Sequence, residues 1–211
     1  MEKVIIVKHP LILHKLTRMR NRKTGSKDFR ALLKELSSLM TFEITRDIPT
    51  RKIKVETPLG TMISGETVEH SNLFCIPIFR AGIGMVEGVL DVIPNARVGH
   101  IGMYRDPETL QAVKYYSKLP TGLSSDGRVL IIDPMLATGH TMVAALDLIK
   151  KAGAVNLRIM CLVAAPEGVA QVRKHHKDVL IYTAAVDERL DENGYILPGL
   201  GDAGDRIFGT R

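Results

Sequence analysis

Residues 129 to 141 read Val129-Leu130-Ile131-Ile132-Asp133-Pro134-Met135-Leu136-Ala137-Thr138-Gly139-His140-Thr141. The first four are apolar and mostly β-branched, the pattern of a short strand buried on both faces of a parallel sheet. Asp133 and Pro134 end it. Small and hydroxylated residues follow, and then Met142, Ala145, Leu146 and Ile149 recur at helical spacing until Lys150, Lys151 and Gly153, a helix stop. The stretch is therefore a strand-to-helix turn.

Such a turn aims unpaired backbone N–H groups and the positive end of a helix dipole at one point, which suits a phosphate. Gly139 permits close approach of an anion, and the hydroxyls of Thr138 and Thr141 can donate to its oxygens. Asp133, expected as an exposed carboxylate at the strand end, is a poor neighbour for phosphate but a good acceptor for sugar hydroxyls. Phosphate beside carboxylate points to a phosphosugar. The stretch resembles the 5-phosphoribosyl 1-diphosphate (PRPP) motif of type I phosphoribosyltransferases, and Asp133 to Gly139 is close to the form found in uracil phosphoribosyltransferases. The resemblance assigns Asp133, Pro134, Met135, Leu136, Ala137, Thr138, Gly139, His140 and Thr141 to PRPP. It departs from that pattern twice: Pro134 stands where most of the wider family has a second acid, and His140-Thr141 replace Gly-Ser. Thr141 keeps the hydroxyl.

Composition sets the frame. With 211 residues, 45% hydrophobic and 25% charged, the chain suffices for one sizeable core, hence a single α/β domain. Within it we expect a core of roughly 66 to 186, an N-terminal arm and helices over 1 to 65, and a C-terminal hood over 187 to 211. The formal charge of +6 suits an anionic ligand or nucleic acid without choosing between them. Cys75 and Cys161 both lie in apolar runs, so buried free thiols are expected rather than a disulfide. There is no cleavable apolar leader and no run of about 18 apolar residues. These features predict a cytoplasmic, soluble protein.

Val4 to Val7 reads as an edge strand, or as an arm packing on the domain or on a second copy. After Pro10, Leu13, Leu16 and Met19 predict a short helix. The basic cluster Arg18, Arg20, Arg22 and Lys23 lacks interleaved aromatics, which favours a solvated or interface helix end over RNA binding. Ser26 is placed to cap a helix whose Phe29, Leu32, Leu33, Leu36, Leu39 and Met40 face a core. Residues Arg51 to Ser64 alternate around a Pro-Leu-Gly turn, consistent with a hairpin.

Leu73 to Phe79 is a second buried-strand pattern, running into Arg80-Ala81-Gly82-Ile83-Gly84. Gly82 and Gly84 allow backbone to approach an anion, and Arg80 offers a planar donor fork. A dinucleotide fingerprint is the alternative, but Gly88 follows Gly84 by four residues where that motif needs three. In the family resemblance this is the diphosphate loop, with Arg80 as a contact, and a cis peptide adjoining Arg80 is expected. A third strand over Val98 to Tyr104 ends at Arg105, matching a diphosphate-contacting arginine at the base of the family's flexible loop. Pro107 to Gly127 is then a mobile lid or a long exposed connection, with Tyr115 and Tyr116 in a short exposed ribbon; the resemblance favours the lid.

Strands are predicted at Leu157 to Ala164 and Val179 to Val186, with a helix between them near Glu167 to Lys174. Alternation of this kind implies a doubly wound, mostly parallel sheet. No Cys/His set has zinc spacing. Asp187 to Arg211 is rich in glycine and aspartate, yet Tyr195, Ile196, Leu197, Leu200, Ile207 and Phe208 are too apolar for a frayed tail. Ordered backbone there, floored by Tyr195 and Ile196, suits the edge of a small planar base. Gly199-Leu200-Gly201-Asp202-Ala203-Gly204-Asp205 is also specific to the uracil branch of the family. The resemblance assigns Ile196, Gly201, Asp202 and Ala203 to uracil, and turns Asp202 also toward the PRPP ribose or its metal, compensating for Pro134.

The resemblance further implies transfer of phosphoribosyl from PRPP to uracil for pyrimidine salvage, with Arg105, Asp133 and Asp202 as the catalytic set. Mg²⁺ would arrive largely on the diphosphate; Asp202 is the candidate protein contact. A homodimer or higher homo-oligomer and a GTP effector belong to the same expectation, and the residues themselves do not speak to GTP. The base-binding segment offers no evident general base. Two rivals are a PRPP-sensing RNA-binding regulator on the same fold, disfavoured by the intact Tyr195 to Asp205 segment, and a nicotinamide-dinucleotide enzyme built on Gly82 and Gly84.

Overall fold

The computed structural model describes residues 3–68, 72–105, 112–123 and 127–210. The chain begins with β1 (Val4–Ile6), α1 (Pro10–Arg20) and α2 (Ser26–Ile44), then a hairpin of β2 (Thr50–Glu56) and β3 (Met62–Val68). The alternating part follows: β4 (Leu73–Phe79), α3 (Ile83–Val92), β5 (Arg97–Val98), β6 (His100–Arg105), β7 (Ala112–Lys118), β8 (Arg128–Ile132), β9 (Met135–Leu136) and α4 (His140–Lys151). It continues through β10 (Asn156–Ala164), α5 (Pro166–His175) and β11 (Leu180–Val186), and the chain ends with β12 (Arg189–Leu190), β13 (Ile196–Leu197) and α6 (Ala203–Phe208).

The main sheet runs β1-β11-β10-β8-β4-β6-β7, with β5 on β4 and β9 on β10. All its pairs are parallel except β6 with β7. This is the doubly wound, mostly parallel sheet expected, and it is covered on both faces. Alternation within each strand divides the core: Cys75, Leu130, Ile132, Met160 and Leu162 point to the side of α1, α2 and α3. Ile76, Ile78, Val129, Ile131 and Ile159 point to α4, whose Met142, Ala145, Leu146 and Ile149 are the residues picked out by helical spacing. Both cysteines are buried and free.

Several local expectations are corrected. Ser26 is the first residue of α2, not its cap; Gly25 takes that position without a side-chain bond. In α1 the buried residues are Ile12, Leu16 and Met19, while Leu13 is exposed, because the apolar stripe starts one residue earlier than the leucines suggest. The strand expected over Val98 to Tyr104 breaks at Gly99, whose N–H donates to the Cys75 carbonyl as the chain passes from β5 to β6. Met135 and Leu136, read as loop, add a short strand to β10. Val4–Ile6 is an edge strand, and residues 51 to 64 do lie within a hairpin. Tyr115 and Tyr116 form the exposed ribbon as part of β7, whereas residues 107–111 and 124–126 of the expected lid lie outside the described residues.

Candidate active site

The site is assembled at the carboxyl ends of parallel strands, where open α/β sheets bind ligands. At the end of β8, the Asp133 N–H donates to the Met160 carbonyl (3.2 Å) and one carboxylate oxygen accepts from the Met135 N–H (3.2 Å), fixing the side chain beside its own turn. The expectation of an exposed carboxylate is corrected here. Asp133 is half-buried, and loss of solvent around its carboxyl pushes its pKa up to about 7, against the lowering effect of the Met135 N–H. Ligand-free, this acid is poised to change protonation near neutrality.

Gly139 has φ +80°, a left-handed conformation, and as N-cap of α4 it leaves that helix end without a side-chain cap. The loop encloses a hollow of 100 Å³ lined by Asp133, Ala137, Thr138, Gly139 and Thr141, a volume suited to a group of phosphate size. His140 points outward and is exposed. The loop has a support that spacing alone does not reveal. A Cβ added at Gly168 of α5 would lie 2.2 Å from the Ala137 carbonyl oxygen, and one added at Gly139 2.8 Å from the Gly168 carbonyl oxygen. Two glycines thus let α5 press directly against the phosphate-type loop.

The turn after β4 abuts this loop, since a Cβ at Gly82 would lie 2.5 Å from the Ile132 carbonyl oxygen. The peptide Phe79-Arg80 is cis, as expected for this turn. Arg80 pairs with Asp205 of the hood at 3.0 Å and lies 5.9 Å from the Phe208 ring. Its guanidinium also borders Gly204 and Asp202: a Cβ at Gly204 would lie 3.0 Å from Arg80 Nη2 and 3.2 Å from Asp202 Oδ1. Asp133, Arg80 and Asp202 therefore belong to adjoining turns. Arg105 ends β6 by its backbone; its side chain lies outside the described residues.

In the hood, Asp202 caps α6, accepting from the Asp205 N–H at 2.9 Å. Ile196, Leu200, Ala203 and Ile207 are buried in the core, while Tyr195 and Phe208 are exposed at 38% and 44%. Of the two residues expected to floor a base, Ile196 is core and Tyr195 stands at the surface. A cleft of 380 Å³ opens beside it, lined by Tyr195, Gly201 and Asp202 and, across the gap, by Arg22, Thr24 and Ser26 of the α1–α2 turn. That turn is not among the residues expected at the site; the signal near it in the sequence is the basic cluster ending at Lys23. Among the described residues no group of three or more His, Cys, Asp or Glu is arranged to hold a metal.

The fold is that of phosphoribosyltransferases: the protein superposes with a TM-score of 0.52 on an adenine phosphoribosyltransferase from Giardia lamblia complexed with 9-deazaadenine, at 17% identity, over 74% of this chain and 80% of that one. Within that class the match is much narrower. The family model for uracil phosphoribosyltransferase matches residues 6–210, and the chain belongs to that family. It is 56% identical over all 211 residues to the uracil phosphoribosyltransferase of Bacillus velezensis, covering both chains completely. It also superposes on the solved AQ2163 protein from Aquifex aeolicus with a TM-score of 0.92, at 40% identity over 97% of each chain.

Proposed function

We propose that this protein transfers the phosphoribosyl group of PRPP to N1 of uracil, giving UMP and diphosphate for pyrimidine salvage. The observation that carries the reading is the meeting of three turns at the carboxyl end of the sheet. The first holds Asp133 and an uncapped helix start, the second Arg80, and the third Asp202 with the Gly201 to Ala203 backbone.

As diphosphate leaves, positive charge grows on the anomeric carbon, so the transition state resembles that of glycoside cleavage. The chain's task is then placement and charge balance rather than covalent chemistry. Residues 137 to 141 bind the 5-phosphate through backbone N–H groups and the two threonine hydroxyls. Asp133, once ionised, accepts the ribose hydroxyls and faces the growing positive charge. Arg80 and Arg105 take the diphosphate, and Arg80 exchanges the Asp205 carboxylate for phosphate oxygens of the same charge sign. Of the segment that the resemblance assigns to the base, Gly201 and Asp202 line the cleft and read it, while Ile196 and Ala203 are buried. Asp202, whose carboxylate caps α6 beside Arg80, is the residue that would hold a Mg²⁺ carried in on substrate phosphates. Held there, a Mg²⁺ would supply neutralisation of the charge that grows on the leaving diphosphate.

The test is UMP formation from uracil, PRPP and Mg²⁺, run beside cytosine, hypoxanthine, adenine and orotate. Product with uracil alone is expected. Product with another base keeps the PRPP site and overturns the assignment of residues 196 to 203. The family reading also carries a homo-oligomer and a GTP effector: sedimentation is expected to show a dimer or larger species, and assays with and without GTP decide activation. No helix among the described residues is long and apolar enough to cross a membrane.

A further inference from the structure

The segment between β13 and α6 is tied by side chains that include one from the far end of the chain. Arg20, at the end of α1, forms a two-pronged pair with Asp187: Nη1 donates to Oδ2 at 2.7 Å and Nη2 to Oδ1 at 2.6 Å. The Asp187 side chain is only 5% exposed. The pair closes on Gly199 from both sides, since Arg20 Nη1 also donates to the Gly199 carbonyl and Asp187 Oδ2 accepts from the Gly199 N–H at 2.9 Å. One residue on, Arg206 donates to the Leu200 carbonyl at 2.7 Å and to the Asn21 carbonyl at 2.8 Å, with its guanidinium 4.3 Å from the buried Phe29 ring. Gly199 has φ +60° and no room for a Cβ, which would lie 2.0 Å from the Ile196 carbonyl oxygen.

We propose that Arg20 and Asp187 are positioning residues for the base: by gripping both backbone groups of Gly199 they set where the backbone of Gly201 to Ala203 presents itself to uracil. The inference rests on reading Ile196 to Ala203 as the uracil-recognising segment. Charge-assisted bonds in a two-pronged geometry fix direction as well as distance. A backbone that recognises a planar edge needs such direction, because a displacement of about 1 Å misaligns every bond to the ligand. Loops that recognise ligands are commonly carried on a rigid scaffold; here α1 and α2 are that scaffold, which gives the basic cluster near Arg20 a task other than binding nucleic acid.

The experiment is steady-state kinetics with each substrate varied in turn, on Asp187→Asn, Arg20→Lys and Arg20→Met, alongside thermal unfolding and PRPP binding. Asp187→Asn keeps an acceptor for the Gly199 N–H but loses the charge, so it guards against simple misfolding. The expected result is a rise of about tenfold in KM for uracil, with PRPP affinity within about twofold of wild type and partial recovery in Arg20→Lys relative to Arg20→Met. Equal loss for both substrates, or loss that tracks the fall in Tm, makes the pair a structural tie only and overturns the proposal. Gly201→Ala separates this from failure of the underlying reading, because Gly201 has φ +76° and alanine there strains the segment directly. If Gly201→Ala also leaves uracil KM unchanged, the segment does not read the base. If Gly201→Ala raises it while Asp187→Asn does not, only the positioning role falls.

Discussion

The phosphate-type loop and the hood lie side by side but are built in opposite ways. The loop is short-range: strand, acid, glycine and helix follow within thirteen residues, and its bonds join residues near in sequence or adjoining strands. The hood is long-range. Its bends at Gly199 and Leu200 are tied by Arg20, 179 residues from Gly199, and by Arg206, which in turn reaches Asn21 185 residues away. The first region is set by local geometry and tolerates little change within itself. The second is set by a few ionic contacts and is expected to respond to changes far from it.

The largest effect falls on the loop. Asp133→Asn is expected to lower kcat/KM by about 10²- to 10³-fold, because ribose orientation and charge balance are lost together. The effect on stability has the opposite sign. The folded-state pKa of about 7 lies above the ordinary carboxylate value, so ligand-free folding loses stability as pH rises from near 4 through 7, where the folded state must release a proton it holds. Asparagine carries no such cost. At pH 8 the variant's Tm is expected to rise by about 2–4 °C, the change worth about 1 kcal/mol in a chain of this size, and at pH 4 the gain disappears. In the wild type, kcat/KM is expected to rise with pH to a plateau above about 7. A fall in Tm at pH 8 would show that the ionised carboxylate holds the loop together, which removes the distinction between its chemical and structural roles.

Two further variants probe each region from its neighbour. Gly168→Ala puts a methyl group into the Ala137 carbonyl. It is expected to cost about 1–3 kcal/mol of stability and to raise PRPP KM roughly tenfold by displacing the loop. Unchanged PRPP kinetics would mean that the loop yields without consequence. Arg80→Lys joins the two regions, since Arg80 contacts Asp205 of the hood from the β4 turn. An ammonium cannot reproduce the fork, so a loss of several-fold to about tenfold in kcat/KM for PRPP is expected. A matching loss confined to uracil would instead assign Arg80 to the hood.

The contrast also explains what could be read in advance. The buried strands β4, β8, β10 and β11 were legible because each is a largely apolar run, and α4 because its apolar residues recur at helical spacing. The Asp133 and Arg80 turns were legible for the same local reason. Gly168 was not, because a glycine inside a helical pattern carries no sign of which loop will lie against it. Nor was the pairing of Arg20 with Asp187, since attraction between residues 167 apart leaves no periodicity. The burial of Asp133 was misjudged from its place after a strand. Its desolvation is a matter of tertiary burial, which its place after a strand does not show.

The smallest effect concerns His140, which stands in the loop where the family resemblance leads one to expect glycine. It is exposed at the first position of α4, while the hollow is lined by Asp133, Ala137, Thr138, Gly139 and Thr141. His140→Gly therefore keeps that lining and is expected to change PRPP KM by less than about threefold. The cost appears in stability, up to about 0.5–1 kcal/mol, because glycine at a helical position loses more backbone freedom on folding. His140→Glu is expected to weaken PRPP binding several-fold, since a carboxylate at the mouth repels phosphate, and added salt should relieve part of that loss through screening. The two variants together define the loop's character. A loss beyond about tenfold in His140→Gly would make the imidazole a ligand in its own right, and the loop would then depend on a side chain for binding in the way the hood depends on arginine for its shape.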